Sequence, residues 1–162
     1  MFCVSGTMTN QLGLRTHLKQ PPHSVICDNN SHIYKYEAGG VAFHSQAQVQ
    51  PIIASNAHHL TVEDLKVNAI TEDDIHYAPN RVISLENTLN GLIFPQDEIV
   101  KIGDFAKSNG LIMHLDGARL WNVHAETGLP MHVLCEPFES VSLCMSKGLG
   151  APIGRWGNFH LK

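Results

Sequence analysis

No stretch of the 162 residues approaches the roughly 20 consecutive apolar positions that a membrane-spanning helix requires, so no such span and no membrane partner are expected. Basic residues are few. Eleven Lys and Arg stand against fifteen Asp and Glu, a net charge of −4, and they form no cluster able to neutralise a phosphate backbone, which argues against a nucleic-acid partner. The four cysteines, Cys3, Cys27, Cys135 and Cys144, are widely separated within apolar runs, giving neither a disulfide framework nor the paired spacing of a zinc ribbon. A reducing cytoplasm fits that usage. The start, Met1-Phe2-Cys3-Val4, has no basic region, so no cleavable leader is expected. A Gly-x-Ser-x-Gly elbow and a Walker loop are lacking, and Gly148, Gly150 and Gly154 miss the dinucleotide fingerprint by one residue, which removes serine hydrolases, nucleoside triphosphatases and Rossmann dehydrogenases from consideration.

What remains is a chain of globular composition, 43% hydrophobic and 16% charged, long enough for one core. Short apolar runs at 24–27, 81–86, 111–116 and 140–145 are bounded by turn residues and do not alternate as half-exposed strands do, so they read as buried parallel strands. Helical patterns lie between them. Residues 96–108 carry Ile99, Ile102, Phe105 and Ala106 on one face, and 118–127 end at Gly128 and Pro130. Residues 7–19 and 31–38 read as two more helices, the second stopped by Gly39-Gly40, while Thr61 to Asp64 opens another with an approximate capping box. The turn-rich stretch 71–80 is a connection. The expected fold is α/β, a mostly parallel sheet with flanking helices.

Right-handed crossovers bring the ends of successive parallel strands to one edge, the edge where open α/β sheets bind ligands. Glu86 ends one strand, Asp116 ends the next 30 residues later, and Lys147 follows the last after 31 more. A lysine among glycines at a buried strand's exit can be desolvated into a neutral amine able to form a Schiff base, although a solvated loop lysine is the ordinary alternative. Asp116 suits either a helix cap or a carboxylate that keeps a pyridine nitrogen protonated. Arg119, one turn on, is placed to clamp a substrate carboxylate or orient Asp116, or is a plain surface arginine. Ser5-Gly6-Thr7 joins a strand remnant to a helix start, which is either a phosphate cradle or an ordinary capped turn. His32 can stack on a flat ring or take a proton, whereas His58-His59 reads as a solvated pair. His114-x-Asp116 shares a strand face but lacks a third ligand, so no metal site is expected.

Five motifs then occur in order: Ser5-Gly6-Thr7-Met8-x-Asn10-Gln11; Asn30-Ser31-His32-Ile33-Tyr34-x-Tyr36-Glu37-x-Gly39-Gly40; Leu85-Glu86-Asn87-Thr88; His114-x-Asp116-Gly117-Ala118-Arg119-Leu120-Trp121; and Ser146-Lys147-Gly148-Leu149-Gly150-Ala151-Pro152. Together they resemble the low-specificity L-threonine aldolases, pyridoxal-phosphate enzymes of the aspartate-aminotransferase fold, over about residues 1–154. The resemblance implies the large domain of a fold-type-I pyridoxal-phosphate enzyme that cleaves β-hydroxy-α-amino acids to glycine and an aldehyde. It implies that Lys147 carries the cofactor as a Schiff base, that Asp116 partners the pyridinium nitrogen, that His32 stacks on the ring, that Ser5, Gly6 and Thr7 hold the phosphate, and that Arg119 lies near the substrate carboxylate. Glu86 is implied only to lie beside the cofactor.

The chain departs from the family pattern in two ways. Many members carry Glu-Asn-Thr-His-Asn-Gly where this sequence reads Glu86-Asn87-Thr88-Leu89-Asn90-Gly91, which leaves His32 or a water as the proton acceptor. Residues 155–162 read as a divergent tail, and the abrupt start reads as a lost beginning. The expected organisation is therefore a cofactor-binding domain over 1–154, incomplete at both ends. The alternatives are a catalytically silent piece, or another pyridoxal-phosphate enzyme such as a transaminase or hydroxymethyltransferase. A small amino acid is the expected substrate, and the complete enzyme is expected to be a homo-oligomer.

Overall fold

A computed structural model describes residues 1–72, 74–152 and 154–159, with the backbone alone at 158 and 159. Its strands are β1 (Phe2–Cys3), β2 (Ser24–Asp28), β3 (Gln48–Ile52), β4 (Asn80–Glu86), β5 (Ile112–Gly117), β6 (Ser140–Cys144) and β7 (Arg155–Phe159). Among the described residues they form one sheet in the order β1-β7-β6-β5-β4-β2-β3, in which β3, β2, β4, β5 and β6 run parallel and β7 lies antiparallel between β6 and β1. The four buried runs of the sequence are thus the sheet's centre. β3 escaped notice because Gln48, Gln50 and Pro51 make it polar, as suits an outer strand. Residues 155–159 of the expected tail pair as β7; residues 160–162, and Asp73 of the expected connection, lie outside the described residues.

Helices cover both faces. α1 (Gly6–His17), α2 (His32–Lys35) and α3 (Gly40–Ser45) pack Leu14, Leu18, Ile33 and Val41 against Val25, Cys27 and Val82. α4 (Val62–Asn68), α5 (Gln96–Ser108), α6 (Leu120–Thr127) and α7 (Met131–Cys135) pack Leu65, Ile99, Ile102, Leu120 and Leu134 against Ile26, Ile83, Leu85, Met113 and Leu115 on the other face. Successive strand residues point to opposite faces, so the even positions of β4 and β5 look toward α1 and the odd ones toward α5. The strands are buried on both faces, as the sequence reading expected, yet alternate in polarity: Ser84, His114 and Ser140 lie under α1, while Glu86, Asp116 and Ser142 face a cleft.

Three helices also differ at their boundaries; α1, expected over 7–19, runs from Gly6 to His17. The helix expected over 31–38 closes after Lys35, because Ala38 and Gly39 adopt left-handed φ values of 51° and 74° and Glu37 turns its side chain inward. Gly39 caps the start of α3 instead of ending a helix. α6 begins at Leu120 rather than 118, after Asp116 Oδ1 has accepted the Ala118 N–H at 3.0 Å.

Candidate active site

Strand register stacks the polar residues into two rows. Ser84, His114 and Ser140 align across β4, β5 and β6, and Glu86, Asp116 and Ser142 align one step nearer the carboxyl edge. The inner row is buried against α1: His114 Nδ1 lies 2.8 Å from Ser140 Oγ, which lies 2.9 Å from His17 Nε2, and His114 Nε2 lies 3.2 Å from Asn10 Oδ1. Burial pushes the His114 imidazole down to about 3, so it is neutral, and burial also lowers His17.

The outer row opens on a cleft of about 500 Å³, and all eight residues singled out from the sequence, Ser5, Gly6, Thr7, His32, Glu86, Asp116, Arg119 and Lys147, line it. Asp116 is only 6% exposed, and its Oδ2 accepts the Asn10 amide at 2.7 Å. It is not the cap of α6, whose N-cap residue is Arg119. Glu86 Oε2 accepts the backbone N–H of His32 at 2.8 Å. Burial, then the Asp116 charge, pushes the Glu86 carboxyl up to about 7, against the pull of the His32 N–H and of Lys147. Ser5 caps α1 by accepting the Met8 N–H at 3.0 Å, which leaves the Gly6 and Thr7 N–H groups at the positive end of a twelve-residue helix.

Lys147 follows β6 in a turn closed by Gly150 N–H donating to the Lys147 carbonyl at 3.0 Å. It is exposed, so the desolvation expected of it is not realised, and it makes no ion pair with a described residue. A Cβ at Gly148 would lie 2.7 Å from Oδ1 of the exposed Asn122, whose amide would have to shift to admit it. His58 and His59 pair with each other at 2.8 Å and lie outside this cleft.

Sequence reasoning missed several groups at the site. Glu37 is 4% exposed; its Oε1 accepts Asn10 Nδ2 at 2.9 Å and meets His32 Nδ1 at 2.8 Å, while its Oε2 accepts the Gln11 amide. Asn10 thus divides its two amide hydrogens between the carboxylates Glu37 and Asp116. Ligand-type atoms of His32, Glu37 and Asp116 lie within 4.8 Å of one another, but the Asn10 amide donates into that cluster, which marks a hydrogen-bonded network rather than a cation cage. Ser142 and Arg155 also line the cleft; Ser142 Oγ is buried without a partner, and Arg155 donates to Ser146 Oγ at 3.0 Å. The signal for the Ser142 row was the period-two spacing of polar residues at 84/86, 114/116 and 140/142. A second cavity of about 510 Å³, among His17, Tyr77 and Ile112, contains none of the eight.

Comparison with known proteins supplies the context. A family model described as beta-eliminating lyase matches residues 1–159. Low-specificity L-threonine aldolases of Eremothecium gossypii and Saccharomyces cerevisiae are 54% and 52% identical, each over 95% of this chain and 41% and 40% of their own length. A solved threonine aldolase from Leishmania major superposes with a TM-score of 0.86 at 23% identity, covering 96% of this chain and 45% of that one, a likeness of fold. The chain therefore spans about two fifths of the length of the curated relatives it matches.

Proposed function

The chain belongs to the beta-eliminating lyase family, and from that premise we propose that it carries the cofactor-binding core of an aldolase acting on β-hydroxy-α-amino acids, L-threonine or L-allo-threonine, with glycine and an aldehyde as products. Pyridoxal phosphate is the cofactor of that family. The single observation that carries the reading is the convergence of Lys147, Asp116 and His32 on one cleft with the start of α1. An amine, a buried carboxylate, an imidazole and an anion-favouring helix end form the donor set this cofactor requires. The buried Ser142 hydroxyl, without a protein partner, is a further polar group for a ligand to meet.

When bound, pyridoxal phosphate supplies an electron sink for the pair released as the Cα–Cβ bond breaks. The chain's residues do the rest. Lys147 holds the cofactor through its amine. Asp116, restrained by Asn10 and the Ala118 N–H, keeps a proton on the ring nitrogen. Ser5, Gly6 and Thr7 hold the phosphate where free N–H groups and the helix dipole favour negative charge. Arg119 pairs with the substrate carboxylate. His32, on the cleft, would accept the β-hydroxyl proton, since Leu89, where the family resemblance implies a histidine, is buried at 6% exposed. Residues 1–154, together with β7, which pairs between β6 and β1, are read as the cofactor-binding unit, and the complete enzyme as a cytoplasmic homo-oligomer; the cysteine usage supports the compartment.

The test is to add pyridoxal phosphate to the purified chain and supply L-threonine, L-allo-threonine and serine in turn. Absorbance near the visible edge, lost in Lys147→Ala, together with glycine and acetaldehyde from threonine, is the expected result. An adduct without cleavage marks a silent core, and no adduct overturns the reading.

A further inference from the structure

Glu37 is buried, lies outside every role assigned above, and is gripped from three sides. Its side chain is 0% exposed, against 41% for that of His32, which it contacts. Both carboxylate oxygens accept amide N–H groups, from Asn10 and from Gln11, which is the arrangement of an acceptor-only, ionised carboxylate. Those amides are themselves fixed in orientation. Neutral His114 is bonded at both nitrogens; because Asn10 spends its two hydrogens on Glu37 and Asp116, its Oδ1 must accept from His114 Nε2, leaving His114 Nδ1 to accept the Ser140 hydroxyl. The chain of donors runs one way, and it ends at Glu37 as an acceptor.

The consequence falls on His32. Facing an acceptor at 2.8 Å, its Nδ1 must carry the hydrogen, and its Nε2 has no hydrogen-bond partner among the described residues. We propose that Glu37 is a positioning residue: held by Asn10 and Gln11, it locks His32 in the Nδ1–H tautomer and presents a bare Nε2 to the cleft as the atom that takes the substrate's hydroxyl proton. This rests on the aldolase reading for its substrate, but not for its tautomer. In the step, the O–H bond of the substrate breaks, an Nε2–H bond forms, and the imidazolium charge lies against Glu37. The other charged groups lining the cleft are Glu86 from β4, Asp116 from β5, Arg119, Lys147 and, from β7, Arg155. Lone backbone support does not explain the arrangement, because the His32 N–H is already used by Glu86.

The experiment is nitrogen NMR of the ¹⁵N-histidine-labelled chain above the titration range of imidazole, with His32→Gln used to assign the signal. The expected result is a protonated-type Nδ1 and a pyridine-type Nε2 at His32; the reverse assignment in the wild-type chain overturns the proposal, with only the His32→Gln variant needed for the assignment. Glu37→Gln should shift His32 toward the Nε2–H tautomer, and Glu37→Asp should restore part of the original ratio. An unchanged ratio in Glu37→Gln also overturns it. A purely packing role for Glu37 would leave the ratio unmoved. Borohydride fixation of pyridoxal phosphate at Lys147, run on the same samples, reports the aldolase reading separately: its absence in the wild type removes the substrate while leaving the tautomer result intact. Where the chain turns over threonine, Glu37→Gln should lower kcat/KM about 10-fold or more with fixation at Lys147 retained.

Discussion

Glu86 sets a pH dependence at the scale of a single residue. Its carboxyl is raised from an ordinary value of 4.5 to about 7, first by burial and then by Asp116. Between those values the folded chain holds a proton that the unfolded chain has lost. The stability from this group is therefore full below pH 4.5 and disappears as pH rises through 7, an effect on the order of 3 kcal/mol. Glu86→Gln keeps the acceptor for the His32 N–H and cannot ionise. Denaturant unfolding should find the variant near wild type at pH 5 and more stable by about 2–3 kcal/mol at pH 8; an equal difference at both pH values would contradict the burial argument. Lys147, Asp116, His32 and Ser5-Gly6-Thr7 were legible in the sequence because each ends or follows a recognisable element. Glu37 was not, because its meaning comes from Asn10 and Gln11, 27 and 26 residues away, on another helix.

Among the elements, α4 shows how far local chemistry reaches. Thr61 Oγ1 accepts the Asp64 N–H at 3.2 Å, and Asp64 Oδ2 accepts the Thr61 N–H at 2.9 Å, a reciprocal box readable from four residues. Thr61→Ala should cost about 1 kcal/mol, measured by denaturant unfolding, and no measurable loss would mean that tertiary contacts alone hold the helix. α5 was legible to the residue because Ile99, Ile102, Phe105 and Ala106 mark one apolar face across 96–108. α3 and β3 were not. Gly39-Gly40, which reads as a helix stop, instead starts α3, and β3 hides its strand character behind two glutamines and a proline.

At the scale of the whole molecule, one face of the sheet centre is apolar and the other carries two rows of polar side chains, so the core and the site occupy the same strands. Ile83, fully buried on the apolar face, should cost about 2–5 kcal/mol on replacement by Ala without moving the groups in the cleft, which thermal or denaturant melting checks. Phe2, Val4, Phe43 and Ile53 are each at least 75% exposed, and the expressed chain should self-associate in light scattering; a monodisperse monomer would contradict that expectation. The α/β class and parallel centre followed from four apolar runs, whereas the antiparallel edge of β7 and β1 depends on pairing over more than 150 residues that no local pattern encodes.

The central claim is that one amine, Lys147, receives the cofactor at the edge where Asp116 ends its strand. Borohydride reduction of the chain with pyridoxal phosphate, followed by peptide mapping, tests it most directly. A pyridoxyl group on Lys147 is the result this account requires, and a pyridoxyl group on any other lysine, with Lys147 unmodified, would contradict it.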